Sequence, residues 1–340
     1  MSKPITTLLM LFFLTHLYAQ QTEVVYLEED NVSGNFYTLL YPPDQLKGYV
    51  LILPGFGQSA EMAMEQSDLP QTTAQNGLLT IIPTLQDGVL SFGVDGRSQE
   101  SLHRIIEDVR SKHDLARLPY YIGGFSIGGS CALKYAQDST VKPAAVFGID
   151  PPLDFERFYH SSQRDIRLSV DKEPSQENVY MLERIEKEFG GTPDSALANF
   201  HQMSPYSFSD LSQGAVKKML DLPIRIYSEP DIDWWLRERD FDLTGVNVTE
   251  ISAMINELRR LGNDKAELII SSNKGYRKPH HIRHPHSWSI VDNEALVAWL
   301  LGASGIHDKK LNPSDRMSKA FKDKGQLAKE GTEGLRSTKQ

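Results

Sequence analysis

The sequence predicts an α/β fold, a mostly parallel central sheet flanked by helices, with an inserted cap. Three observations carry that expectation. Aliphatic runs of strand length alternate with segments of helical periodicity up to about residue 150. The alternation lapses over residues 151–220, which are polar, and then resumes toward the C-terminal region.

Strands are expected over residues 35–40, 49–53, 78–82, 120–123 and 144–149, and helices over 60–75, 99–112 and 127–137. A strand covered on both faces reads as an uninterrupted aliphatic run, as YVLIL does, which argues for parallel pairing between helical layers. Within 151–220, SQENVYMLERIEKEFG sets Met181, Ile185 and Phe189 on one helical face, and this stretch is read as the cap. Strands at 224–227 and 268–271, with helices at 250–261 and 293–301, complete the sheet.

The 340 residues are 40% hydrophobic and 24% charged, which suits one large domain over residues 21–304. A net charge of -9 supplies no broad basic field, so nucleic acid is excluded as an expected partner. The start, MSKPITTLLMLFFLTHLYAQQ, has an early lysine, an apolar run over 8–14 and a small residue at Ala19, and reads as a signal peptide over 1–20. The run is too short to span a bilayer and no cysteine follows it, so export without a stable membrane anchor is expected. Cys131 is the only cysteine; lying in the helix expected after Ser126, it reads as a small buried hydrophobe. Beyond Ile306 there are nine Lys or Arg against five Asp or Glu, so residues 305–340 read as a polar, basic, disordered tail.

The most informative stretch is YYIGGFSIGGSCALKYA, which passes from strand-like to helical pattern through Gly123, Gly124, Ser126, Gly128 and Gly129. Glycine inside a strand or helix costs roughly 0.5–1 kcal/mol relative to Ala, so four around one serine point to a backbone crowded by its neighbours. Gly124 to Gly128 matches G-x-S-x-G, in which the serine sits on a strained strand-to-helix turn and the helix N-terminus faces a developing oxyanion.

With this motif at a strand-to-helix junction, the sequence resembles the α/β-hydrolase superfamily, in its exported bacterial serine esterase and lipase-like branch, over about residues 24–301. The resemblance implies the order serine, acid, histidine along the chain. It implies Ser126 as nucleophile, Asp231 after the strand IRIYS as the acid, and His286 in KPHHIRHPHSW as the base. Glu229, Asp233 and Asp150 compete with Asp231, and His280, His281 and His284 with His286. An oxyanion hole is implied at the N–H groups of Ile127 and of Phe56, in the Pro54-Gly55-Phe56-Gly57 loop. Many relatives have His where this chain has Pro54.

A serine hydroxyl needs an imidazole to take its proton and a carboxylate to orient that imidazole, which is the chemistry these residue types offer. The four clustered histidines also fit a metal site, but with no Cys or acidic ligand among them and Arg283 in their midst, surface imidazoles are the simpler reading. No metal or cofactor is therefore expected. Trp234 and Trp235 line a pocket or pack in the core. The expected function is an exported serine hydrolase acting through an acyl-enzyme on a small-molecule or polymer-linked carboxylic ester. A peptidase on the same scaffold and a non-catalytic binding protein are the alternatives.

Overall fold

The computed structural model describes residues 21–28, 32–169 and 176–305. The expected signal peptide, and the tail beyond residue 305, lie outside these. Among the described residues no helix is long and apolar enough to cross a membrane.

Eight strands form the main sheet: β1 (Thr22–Tyr26), β2 (Phe36–Leu40), β3 (Gly48–Leu53), β4 (Leu78–Thr84), β5 (Tyr120–Phe125), β6 (Ala145–Ile149), β7 (Ile224–Ser228) and β8 (Ala266–Ile270). Their order is β1-β2-β4-β3-β5-β6-β7-β8, with β2 antiparallel to both neighbours and all pairs from β4 to β8 parallel. A short hairpin, β9 (Tyr276–Arg277) with β10 (Ile282–Arg283), stands apart.

Eleven α-helices follow in chain order among the described residues: α1 (Ala60–Gln66), α2 (Leu69–Gln75), α3 (Gly96–Lys112), α4 (Ile127–Asp138), α5 (Phe155–Leu168), α6 (Gln176–Phe189), α7 (Pro193–Met203), α8 (Gly214–Lys217), α9 (Ile232–Arg239), α10 (Val248–Arg260) and α11 (Asn293–Ala303). The single helix expected at 60–75 is two, because Ser67 is extended and Pro70 near the start of α2 cannot continue a preceding helical turn. Helix α5 and the first strand were not anticipated. The helix α5 segment carries Arg, His, Ser and Asp through its length and buries only Phe155, Tyr159 and Ser162.

Strand alternation explains why every residue of β3 is buried. Leu51 and Leu53 face one layer with Ile122, Val146 and Ile226, covered by α3, α4 and α10. Val50 and Ile52 face the other with Tyr121, Phe147 and Ile149, covered by α1, α2 and α11. Each such aliphatic side chain contributes about 1.5–3 kcal/mol on full burial.

The register then fixes where chemistry can occur. Leu53 lies beside Gly124, Phe125 beside Ile149, and Ile149 beside Tyr227. The residues that follow β3, β5, β6 and β7 therefore emerge side by side at the carboxyl edge of the sheet, the edge where open α/β sheets bind ligands. Over this edge sits the cap, in which Met181, Ile185 and Phe189 of α6 are buried with Phe155, Tyr159 and Phe200. The same cluster includes Phe92, Val94 and Ile127 of the body.

Candidate active site

Ser126 occupies the turn between β5 and α4 with φ 52° and ψ -127°, a conformation that costs a non-glycine residue about 1–3 kcal/mol. Its N–H donates to the Ile149 carbonyl at 2.9 Å, which locks the turn to β6. The neighbouring glycines are there for contact. A Cβ on Gly128 would lie 2.2 Å from the Leu53 carbonyl oxygen and 2.4 Å from that of Pro54; one on Gly124 would lie 2.4 Å from the Leu53 oxygen. Only glycine lets the end of β3 press against the elbow. Ser126 stands at the N-cap of α4 yet makes no capping hydrogen bond, whereas Ser59, Asp95, Asp154 and Asp292 cap their helices. Among the described residues its hydroxyl does not cap the helix.

The loop after β3 turns back against the same point. The N–H of Gly55 donates to Gln58 Oε1 at 3.1 Å, that of Gly57 to the Val89 carbonyl at 2.8 Å and that of Gln58 to the Gly55 carbonyl at 3.0 Å. Among the described residues, the Phe56 and Ile127 N–H groups have no acceptor within the chain. Gln58 thus holds the loop that begins at Pro54. Its Oε1 also accepts from Trp288 Nε1 at 3.2 Å, tying the loop to the segment that carries His286.

His286 Nδ1 lies 2.7 Å from Asp150 Oδ2. The other carboxylate oxygen of Asp150 accepts from Ser228 Oγ at 2.7 Å, and its backbone carbonyl accepts from Asn247 Nδ2 at 2.8 Å. Asp150 itself is held at φ 49° immediately after β6, its N–H donating to the Tyr227 carbonyl at 2.8 Å. With a carboxylate at Nδ1, the imidazole carries its proton there and presents a bare Nε2. The ring rests on Phe125, centroids 4.6 Å apart, beside the serine, and Ser126, Asp150 and His286 line one cleft with Phe56 and Ile127.

Asp231, the acid expected from the sequence, is elsewhere engaged. Its Oδ1 accepts the Trp234 N–H at 3.1 Å as the N-cap of α9, and its Oδ2 pairs with Arg283 Nη2 at 2.6 Å. Glu229 at the end of β7 is likewise structural: it accepts the backbone N–H groups of Lys274 and Gly275 and pairs with Arg283 Nη1 at 2.6 Å. The two carboxylates near β7 anchor the loop that carries His286, and the carboxylate after β6 contacts the histidine. Asp150 was among the competing acids in the sequence, and its position after an aliphatic strand and before two prolines is the signal that marks it.

The histidines separate by environment. His281 stacks on Tyr276 at 4.2 Å. His284 is buried between Trp234 and Trp235; burial, then the positive charge of Arg277, holds its imidazole neutral with a pKa lowered to about 2. Trp234 is thus packing, whereas Trp235 also reaches the cleft wall. Among the described residues no cluster of three or more His, Cys, Asp or Glu is placed to hold a metal. Cys131 is buried, and that burial pushes its thiol well above the usual range.

No protein-family model matches the sequence, and no curated protein matches it significantly. Solved structures do. The chain is similar to an S-formylglutathione hydrolase from Agrobacterium tumefaciens, with a TM-score of 0.52 and 13% identity over 84% of this chain and 95% of that one. It is similar to a thermophilic esterase from Thermogutta terrifontis, with a TM-score of 0.52 and 13% identity over 87% and 96% of the two chains. A Pyrococcus furiosus esterase gives a TM-score of 0.51 at 14% identity over 83% and 91%. With the strand order and the elbow geometry above, these likenesses establish that the chain adopts the α/β-hydrolase fold.

Proposed function

We propose that the protein is a serine hydrolase that cleaves carboxylic esters through an acyl-enzyme, with Ser126 as nucleophile, His286 as base and Asp150 as its orienting carboxylate. The observation that carries this reading is the cleft in which an uncapped serine on a strained turn meets a histidine paired with a buried carboxylate and two unengaged backbone donors. In this mechanism His286 Nε2 takes the Ser126 proton as Oγ adds to the ester carbonyl. The oxyanion then accepts from the Phe56 and Ile127 N–H groups, an interaction that contributes about 2.7–4 kcal/mol per donor in sites of this kind. Collapse of the adduct expels the alkoxide, which takes the proton from the imidazolium. Water, activated by the same Nε2, releases the acid and restores Ser126.

The substrate class we favour is a soluble ester with a short acyl chain or a sugar-like alcohol. The apolar stripe of α6 supports this, because Met181, Ile185 and Phe189 are buried in a cluster with Phe92, Val94 and Ile127 of the body and so are not presented to a lipid surface. A chain-length series of p-nitrophenyl esters, assayed below and above micelle formation, tests it: a sharp rise on emulsified long chains overturns it. Export is supported by the leader-like residues 1–20 and is tested by sequencing the N-terminus of protein recovered outside the cytoplasm.

The decisive test of the activity is Ser126→Ala. The wild type should hydrolyse p-nitrophenyl butyrate and be labelled by a fluorophosphonate probe, and the variant should fold, resist labelling and lose about three orders of magnitude or more in kcat. Full activity in the variant refutes the assignment; absence of labelling in the wild type favours a binding protein.

A further inference from the structure

The carboxylate that meets His286 is braced from the cap side by one segment of chain. Helix α5 grips residues 242–246 from a single face, with Arg157, Ser161 and Arg164 spaced one and two turns apart. Arg157 Nη1 donates to the Thr244 carbonyl and Nη2 to the Val246 carbonyl, the latter at 3.2 Å. Ser161 Oγ donates to the same Thr244 carbonyl at 3.2 Å, and Arg164 Nη2 pairs with Asp242 Oδ2 at 2.8 Å. Arg157 Nη2 also pairs with Oε2 of Glu250 in the first turn of α10, a side chain that is fully buried. A guanidinium suits this place, because its planar fork serves two carbonyls and a carboxylate together.

The segment so held leads into Asn247, whose side chain is diverted from the usual task of its position. Asn247 is the N-cap residue of α10, where an asparagine oxygen ordinarily accepts from the free N–H groups of the helix, yet it makes no capping hydrogen bond. Its Nδ2 donates instead to the Asp150 carbonyl at 2.8 Å. Asp150 sits at φ 49°, uncommon for a residue with a side chain, and its N–H is held by the Tyr227 carbonyl at 2.8 Å. Both peptide planes that flank its Cα are therefore clamped, one by β7 and one by Asn247. That fixes the direction of Cβ, which carries the carboxylate to His286 Nδ1 at 2.7 Å.

We propose that Asn247 is a positioning residue that aims Asp150 at His286, and that Arg157 of the cap holds Asn247 in place to do so. The proposal rests on the serine hydrolase reading above. It gives the cap a part in the reaction that needs no contact with substrate: α5 acts through the Thr244 and Val246 carbonyls, then Asn247, then the backbone of Asp150.

The test reads kcat and KM for p-nitrophenyl butyrate in Asn247→Ala, which removes the donor without taking a capping bond from α10. The value of kcat should fall by about 10- to 100-fold with KM within about twofold of wild type, since the acid is misplaced while the cleft keeps its walls. In an Asp150→Asn background the same substitution should change kcat by no more than about twofold, because no carboxylate is left to aim. An unchanged kcat in Asn247→Ala, or the same fold-loss in both backgrounds, overturns the proposal and leaves the serine hydrolase reading intact. Arg157 is tested as Arg157→Met/Glu250→Gln, which takes out both charges together so that neither is left unpaired. This pair of changes should lower kcat by about tenfold alone and by no more than about twofold when added to Asn247→Ala; fully multiplicative losses overturn the role given to Arg157. One measurement needs no turnover. The proton on His286 Nδ1, bonded to a carboxylate, should give a low-field resonance in proton NMR that is absent from His286→Ala, and in Asn247→Ala it should move toward the ordinary imidazole position. A resonance unmoved by that substitution overturns the proposal whether or not the protein hydrolyses esters. A wild type that cleaves no ester and takes up no fluorophosphonate counts against the activity instead.

Discussion

Asparagine substitution at Asp150 and at Asp231 separates the two candidate acids by orders of magnitude. Asp150 has a side chain 9% exposed, with one oxygen on His286 Nδ1 and the other accepting from Ser228. In Asp150→Asn the amide can present its N–H to Nδ1, which selects the tautomer protonated on Nε2, and that nitrogen then cannot accept the Ser126 proton. A carboxylate-to-amide change of this kind lowers kcat by about 10⁴-fold, or roughly 5.5 kcal/mol of transition-state stabilisation at 1.36 kcal/mol per decade. At Asp231 the same change has little to remove. Its carboxylate is 28% exposed, Arg283 keeps its bonds to Glu229 and the Gly275 carbonyl, and asparagine remains a competent N-cap for α9. The lost ion pair should reduce stability by about 1 kcal/mol or less, and kcat should change by no more than about fivefold. The assay is p-nitrophenyl butyrate hydrolysis alongside a urea melt of each variant. Loss of more than about a hundredfold in a folded Asp231→Asn, with Asp150→Asn near wild type, would refute the pairing deduced from the His286 contact.

Two further outcomes test the supporting structure. Gly128→Ala puts a Cβ 2.2 Å from the Leu53 oxygen, so the loop bearing Phe56 must move; kcat should fall by about 10²-fold with the protein still folded, and unchanged kcat would show that the loop is not positioned by this contact. His284→Phe tests proton linkage. The folded imidazole stays neutral down to about pH 2 while the unfolded one titrates near 6.5, so the unfolded chain binds the extra proton as pH falls below 6.5. The stability His284 contributes is thus present above that pH and is lost below it, by about 2 kcal/mol at pH 5. Wild type should lose about that much more than His284→Phe between pH 7 and 5 in chemical denaturation, and identical losses would show that His284 is not held neutral.

The parallel sheet was legible because its central strands are buried on both faces, a condition that near-continuous apolar runs such as that of β3 satisfy. The turn at Ser126 was legible for a related reason: contacts as short as 2.2 Å at Gly128 admit no side chain, so the steric demand of the turn is written into the sequence as glycine. The first strand was harder to read. Most of β1 is exposed at the sheet edge, where burial imposes no pattern on its side chains.

The acid was the part that one-dimensional order could not decide, since strands β6 and β7 are both followed directly by carboxylates and lie in register. What separates them is the demand of Arg283. It sits three residues before His286 in the same loop, and its two terminal nitrogens pair with Glu229 and Asp231. A half-buried guanidinium left without those partners would be costly, so the acidic cluster after β7 is consumed in neutralising the loop. The histidine ring, resting on Phe125, turns instead toward β6, where Ser228 and Asn247 already hold Asp150 in its left-handed conformation. The carboxylate that meets His286 is thus selected by which acids the arginine leaves unpaired, a three-body condition among β6, β7 and the histidine loop that no spacing along the chain expresses.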